Sequence, residues 1–521
     1  MKKTVFYLSI TVIVGILTFN INLPDYDLWA RLAVGSIFFQ TGNILKHDIF
    51  SYLPTKSLWI DHEWGSGVIF YFFAKYFGNW GIFILKGFII LSIFILIMKI
   101  IKLQSNKTAG VLFLILLGFA LLPGIANLIR CQMFTYLFFT LWLYALEKIK
   151  CGENHLIWIF PVTMLFWVNM HGGFLAGIGL IIIYAIGEAL NRRHPLKYLG
   201  ILALIIPVTL INPYGFELWN YMIEASLMPR PYIPEWHPIS FNGPFHIIAG
   251  IKIHIHAVFM IFVFLTIIVG VKLLRERKNP DWTLIALFTV LLCLSIRHQR
   301  HTEFFVLAIP ALFYHQYVNL FDPMQKFIKN NLSEKTCNLW NTTKYGFGYV
   351  LLLIIFIYYL PQLSSRIIID NRIYPVGSLE FIKQNNISGN LATTYNWGSY
   401  AFWKLYPQCK VLIDGRYEEV YSHDIYETAM QFSEHKGDWQ KILKDYKTDA
   451  LILPKNKYSP SDVLNLADWK PVYQDISSVL LLPKNKIKSF YIYPDYKNPI
   501  YTKEDFSNNI NFDIDTLYTN K

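Results

Sequence analysis

Two carboxylates, two residues apart, open the first polar stretch of the chain, in Pro24-Asp25-Tyr26-Asp27-Leu28-Trp29. Such a pair can hold a divalent cation, Mg or Mn, or supply a general base for a hydroxyl group. The competing reading is a pair of solvated acids capping the helix that starts near Leu28. Asp48 follows in Lys46-His47-Asp48-Ile49-Phe50-Ser51-Tyr52, and Asp61, His62 and Glu63 stand together in Trp59-Ile60-Asp61-His62-Glu63-Trp64. At about 100° per residue, three consecutive side chains entering a helix cannot all face one ligand, so at most one or two of them touch it. Further along, Arg130 and Gln132 open one apolar run, and Trp167, Asn169 and His171 close another. Glu235 lies in Pro234-Glu235-Trp236-His237-Pro238, and Arg297, His298, Arg300 and His301 crowd the end of a third run. Bases gathered there call for an anion, and a lipid phosphate or pyrophosphate suits them. Arg130 also fits a snorkelling role toward lipid headgroups, and His171, followed by two glycines, fits a satisfied helix end.

What must position these groups is set by an excess of apolar side chains. The chain has 521 residues, 54% of them hydrophobic and only 16% charged, more than a soluble core of this size can hide. A helix needs about 20 mostly apolar residues to cross hydrocarbon. Runs near 4–23, 80–101, 108–123, 131–149, 155–170, 173–190, 196–212, 253–273, 281–296, 302–318 and 346–363 read as spans. The Gly-broken stretch 63–77 reads as a juxtamembrane or re-entrant helix, and counting it as a twelfth span would invert everything after it.

The bases decide between the two counts. With eleven spans and Lys2 and Lys3 inside, the cytoplasmic connections carry Lys99, Lys102, Lys107, Lys148, Lys150, Arg192, Arg193 and Lys197. Further on they carry Lys272, Arg275, Arg277, Lys278, Lys326, Lys329, Lys335 and Lys344. This is the positive-inside pattern. The formal charge of +12 is therefore an orientation signal, and nucleic acid is not expected as a partner. Met1-Lys2-Lys3 with the run that follows reads as a retained first span in a multi-pass protein of the cell (inner) membrane. The five cysteines show no CxxC spacing, so no disulfide framework is encoded. In this orientation the loop 24–62, Arg130, His171, Glu235, Arg297 and His298 all fall outside the cell membrane, together with everything from about 365 onward.

That last stretch changes character, to short alternating segments typical of a folded α/β layer domain. Ser378–Gln384 reads as a helix, as do stretches near 424–433 and 438–446. Gly389–Thr394, Lys410–Ile413, Ala450–Leu453 and Ser478–Leu482 read as strands. Asn396-Trp397-Gly398-Ser399-Tyr400 and Asp414-Gly415-Arg416-Tyr417 each follow a strand, either as site residues or, for the second, as a buried Asp–Arg pair bracing a turn. Neither GxGxxG nor GKS/T occurs, so nucleotide binding has no support. The expected architecture is a polytopic α-helical membrane protein of about eleven transmembrane helices, residues 1–364. An extracytoplasmic α/β domain follows at 365–521.

These segments together resemble the C-type superfamily of polytopic glycosyltransferases, in particular a broad bacterial group of uncharacterised members. The resemblance rests on Asp25–Trp29, Asp48–Tyr52, Trp59–Trp64, Arg130–Gln132, Trp167–Gly172, Asn212-Pro213-Tyr214-Gly215, Asn396–Tyr400 and Ile413–Arg416. It implies a polyprenyl-phosphate sugar donor, an extracytoplasmic acceptor (glycan, lipid or protein), and a first outer loop carrying the acid that acts. Asp25 and Asp27 take the place of the paired Asp-Glu of some members. On this reading Arg130, His171, Arg297, His298 and Arg300 receive the donor phosphate. Asp48, Asp61, His62, Glu63 and Glu235 are further candidates. A different class of function, a membrane scaffold or a transporter of lipid-linked sugars, fits the same topology. A transporter is disfavoured because no internal repeat is visible and the polar residues stand at span ends.

Overall fold

A computed structural model describes residues 3–20, 23–105, 109–126, 128–240, 242, 245–248, 251–276, 279–320, 322–323, 330–331, 333–494 and 501–503. Lys2, Lys107, Arg277, Lys278, Lys326 and Lys329, used above to orient the chain, lie outside the described residues.

A helix occupies each apolar run, as the absence of internal charge and of alternating polarity requires. Examples are Lys3–Phe19, Gln132–Lys150, Phe174–Leu190, Ala257–Arg275, Trp282–Arg297 and Thr302–Leu312. Among the described residues, two helices, Trp64–Gln104 and Ala257–Arg275, are long and apolar enough by themselves to cross a membrane, and several others are shorter apolar helices. Val111–Ala120 is cut short by a π-turn at Leu122–Ala126 that holds Pro123. The stretch 63–77 is a short helix of its own, as expected, set off from the run after it by a non-helical residue. The two segments join at Gly78, whose backbone (φ 57°, ψ −146°) makes the kink.

The chain divides into two compact units. The first comprises Met1–Ile21, Phe83–Asn212 and Leu227–Ser365 and is helical apart from short bridges and one hairpin, Phe245–Ile248 with Ile251–His254. The second is discontinuous: Asn22–Ile82, Pro213–Ser226 and Arg366–Lys521. The first outer loop thus folds with the C-terminal segment.

In the second unit, helix α1 (Tyr26–Thr41) packs against the start of helix α2 (from Trp64) and against the helix Tyr395–Leu405, which lies on a five-stranded sheet. Its strands are β1 (Gly389–Ala392), β2 (Cys409–Val411), β3 (Ala450–Pro454), β4 (Trp469–Gln474) and β5 (Ser478–Pro483), in the order β2-β1-β3-β5-β4. β1 runs parallel to β2 and β3, while β5 runs antiparallel to β3 and β4. The strands read from alternation are present within a few residues, and β4 is additional. β3 is buried along its whole length, as a central strand covered on both faces must be. Loop residues 50–52 extend the sheet edge: Val411 N–H donates to Phe50 O at 2.8 Å and Tyr52 N–H to Val411 O at 3.1 Å.

α1 and α2 approach closely because glycines face each other. A Cβ on Gly35 would collide with the Gly67 carbonyl, and one on Gly67 would lie 2.7 Å from Arg31 O. This contact brings the buried face of α1 against the residues that lead into α2.

Candidate functional site

Asp25 caps α1 with extended backbone and is buried, while Asp27 lies in the first helical turn. The turn is held from the C-terminal segment. Tyr374 donates its hydroxyl to Pro24 O at 3.3 Å and accepts from Trp29 Nε1 at 3.3 Å. The Trp29 ring packs on Tyr400, centroids 4.9 Å apart. Tyr400 belongs to helix α3 (Tyr395–Leu405), which opens with the Asn-Trp-Gly-Ser-Tyr segment and lies against α1. Trp397 anchors it through a 2.6 Å bond from Nε1 to Ile373 O.

One turn beyond Asp27, Arg31 is buried and gathers three carboxylates. Its guanidinium contacts Asp61, and reaches Glu63 at 2.8 Å and Glu419 at 2.8 Å. His62 Nδ1 lies 3.1 Å from Glu419, whose second oxygen accepts from Trp59 Nε1 at 2.9 Å. Tyr214, in the segment read as a turn, accepts the Asp61 amide at 3.1 Å. All three of Asp61, His62 and Glu63 therefore join one network, because Asp61 and His62 precede the helix and escape its 100° spacing.

Burial pushes the Asp61 carboxyl up to about 6, although Arg31 opposes this. Burial works against the charged His62 ring, but the hydrogen bond and charge of Glu419, with Glu63 behind them, raise it to about 9. Glu419, buried yet facing Arg31 and His62, is held well below the usual carboxylate range.

Metal ligation has two candidate places. Among the described residues, one group of three His, Cys, Asp or Glu side chains has its ligand atoms within 4.8 Å of one another: His62, Glu63 and Glu419. Its charge is already matched by Arg31, and a histidine raised to about 9 is protonated at neutral pH, when a metal needs it neutral. Asp25 and Asp27 are not in such a group among the described residues.

Asp48 and Arg416 form a second brace. Arg416 donates to Asp414 through Nε and Nη2, both at 2.7 Å, and to Asp48 Oδ1 at 2.6 Å. Its guanidinium lies against the rings of Trp59 and Phe50, 4.7 and 5.0 Å from their centroids. Tyr421 donates to Asp414 at 3.0 Å. The Asp414-Gly415-Arg416 turn is thus a buried Asp–Arg brace, and Asp48 is part of it rather than open to a ligand.

The first unit holds the other candidates. Glu235 bridges Arg130, which it contacts, and Arg300 at 3.3 Å. Burial works to raise its carboxyl, but Arg300 and then Arg130 outweigh this and hold it low. Arg230 and Arg300 both pack on the Trp236 ring, 4.1 and 4.4 Å from its centroid. The 234–239 loop is fixed to the Arg297–His301 corner by Gln299 N–H to His237 O at 3.0 Å and by His298 Nδ1 against Trp236 O. The corner's expected anion is thus supplied in part by the chain, and two guanidiniums share one carboxylate. Arg297 itself is exposed. His171 Nδ1 accepts the Gly173 amide at 2.8 Å and meets Thr135 at 2.9 Å, the satisfied helix end of the bland reading. Sequence reasoning missed Arg31, Arg230 and Glu419, while Ser399 lay in a segment it had singled out. Only Arg31, a base inside an apolar helix, carried a readable signal.

The fold is similar to that of a solved oligosaccharyltransferase. The chain matches solved structures of the Archaeoglobus fulgidus oligosaccharyltransferase. Against its apo form the TM-score is 0.56 at 11% identity, covering 87% of this chain and 70% of that one. Against the form tethered to an acceptor peptide with the NVT sequon it is 0.55 at 11% identity, covering 97% and 77%. Against the complex with an inhibitory peptide and a dolichol-phosphate it is 0.54 at 11% identity, covering 97% and 77%. No family model and no curated protein matches the chain.

Proposed function

We propose that the chain is a membrane glycosyltransferase that moves a sugar from a polyprenyl-phosphate donor to an extracytoplasmic acceptor. The observation that carries this reading is the likeness, along 97% of the chain, to an oligosaccharyltransferase solved with a dolichol-phosphate. The acceptor hydroxyl attacks the anomeric carbon, and its proton passes to Asp27 or Asp25 as general base. The bond from that carbon to the phosphate oxygen breaks, and the lipid phosphate leaves with the electron pair. A single displacement of this kind inverts the anomeric centre. Within the first unit, Arg130 and Arg300 are groups suited to binding a lipid phosphate, since together they exceed the charge of Glu235 by one. A divalent cation on Asp25 and Asp27 would act as a Lewis acid there, and no step above depends on it.

Purified protein in liposomes, supplied with undecaprenyl-phosphate sugars and a mixture of envelope acceptors, should release undecaprenyl phosphate. No release with any donor, from protein that still binds undecaprenyl phosphate, would count against catalysis. Arg130→Gln with Arg300→Gln should weaken binding of an undecaprenyl-phosphate analogue by roughly a few kcal/mol. Unchanged binding would remove the phosphate role from this pair.

The orientation proposed is eleven spans, N-terminus cytoplasmic and C-terminal domain outside, and it rests on the basic loops. Cysteines placed at the exposed Ser422 and Ser333 should react with an impermeant thiol reagent from outside and from inside, respectively. The opposite labelling would invert the topology.

A further inference from the structure

Asp27 does not stand alone in the second unit: its carboxylate lies against Gly415. A Cβ added to Gly415 would collide with Asp27 Oδ1. The next nearest atoms are Asp27 Cγ at 3.3 Å and Ser399 Oγ at 3.8 Å. Gly415 is outside the left-handed region, so its backbone permits alanine, and the only close clash is with the end of the Asp27 side chain.

Ser399 is 1% exposed, and its Oγ makes no hydrogen bond among the described residues. Leaving a buried hydroxyl unsatisfied costs about 1–3 kcal/mol, so a fold that keeps one beside a carboxylate favours a use for it. Tyr395, half-buried at the start of the same helix, has its hydroxyl raised by desolvation and then by the charge of Asp27. The Asn-Trp-Gly-Ser-Tyr and Asp-Gly-Arg segments thus meet at Asp27, each contributing one small residue.

We propose that Gly415 and Ser399 are positioning residues for Asp27. The glycine leaves the space that the carboxylate fills, and the serine hydroxyl is the donor that steadies it once an acceptor hydroxyl has entered. This rests on the reading of Asp27 as general base. The placement explains why a turn otherwise devoted to bracing Arg416 keeps a residue without a side chain at its centre.

The test uses full-length protein in liposomes with an undecaprenyl-phosphate sugar. Gly415→Ala should fold with an unchanged melting temperature and lower kcat by about 10²-fold, with little change in KM for the donor, because a displaced base loses rate rather than binding. Ser399→Ala should lower kcat several-fold and move the acid limb of the pH–rate profile upward, since a donor to a carboxylate lowers its pKa. Ser399→Thr should restore both. If Gly415→Ala does not fold, the serine pair decides. An unchanged profile in Ser399→Ala, or a fully active Gly415→Ala, overturns the proposal. Asp27→Asn run alongside separates the two ideas. Loss of rate there with fully active Gly415→Ala and Ser399→Ala rejects positioning alone, whereas a fully active Asp27→Asn rejects the base reading beneath it.

Discussion

Asp27→Asn should leave the protein inserted and folded while slowing glycosyl transfer by about 10²-fold or more. The amide keeps the size of the side chain and most of its hydrogen bonds but can no longer accept a proton. The first turn of α1 is held by Tyr374, Trp29 and Tyr400, and the charge balance of the region is set one turn later at Arg31. Asp25 occupies the N-cap position of α1 without a side-chain cap bond, and Asn suits that position equally, so the effect of Asp25→Asn on rate also reports chemistry rather than folding. We expect both aspartates to matter, because one is buried at the cap and the other lies only two residues on. If the two losses are equal and are reversed by added Mg or Mn, a metal bridge replaces the single base. If neither replacement changes the envelope glycans made by cells, while deletion of 365–521 does, the scaffold reading takes over.

The course of the chain was legible because apolar periodicity and turn chemistry are local. The helix at Ile159–Met170 and the strand at Ala450–Pro454 each follow from a few neighbouring residues. What was hidden is long-range pairing. Asp48 reads alone as a loop acid, and only the fold shows that Arg416, 368 positions away, takes it. Glu419 carries no local signal at all, since its meaning lies in Arg31, 388 residues earlier. The same limit applied to Asp61, His62 and Glu63. Helical spacing forbids three consecutive side chains on one ligand, but the helix begins at Trp64, and the turn at His62 and Glu63 brings them into one network. The glycine at 415 read as part of a turn, whereas the space it leaves belongs to a residue 388 positions before it.

Arg31→Met should be the most damaging replacement to the stability of the second unit. Methionine fills a similar volume and suits the helix, so the loss isolates the charge. Three clustered carboxylates, two of them buried, would then face one another without the guanidinium that joins them, His62 remaining beside Glu419. Removing one partner of a buried ion pair costs roughly 3–5 kcal/mol, which for a unit of this size lowers the melting temperature by on the order of 10 °C. The pH dependence identifies the cause. In the native protein His62, raised to about 9 by Glu419 and Glu63, contributes stability that is complete below its ordinary value near 6.5 and is lost as the pH rises toward 9. Asp61, raised to about 6, likewise favours the fold when protonated and loses that contribution as the pH climbs through 6. Glu419 acts in the opposite sense: held low by Arg31 and His62, it stabilises above its ordinary value near 4.5, and this fades as the pH falls further. Without Arg31 the carboxylates are driven toward protonation, so the deficit of the variant should be greatest near pH 8 and shrink toward pH 5. Thermal unfolding of both proteins across that range measures it. A deficit independent of pH would mean that Arg31 acts through packing of its stem, and that the carboxylates are neutralised by other means.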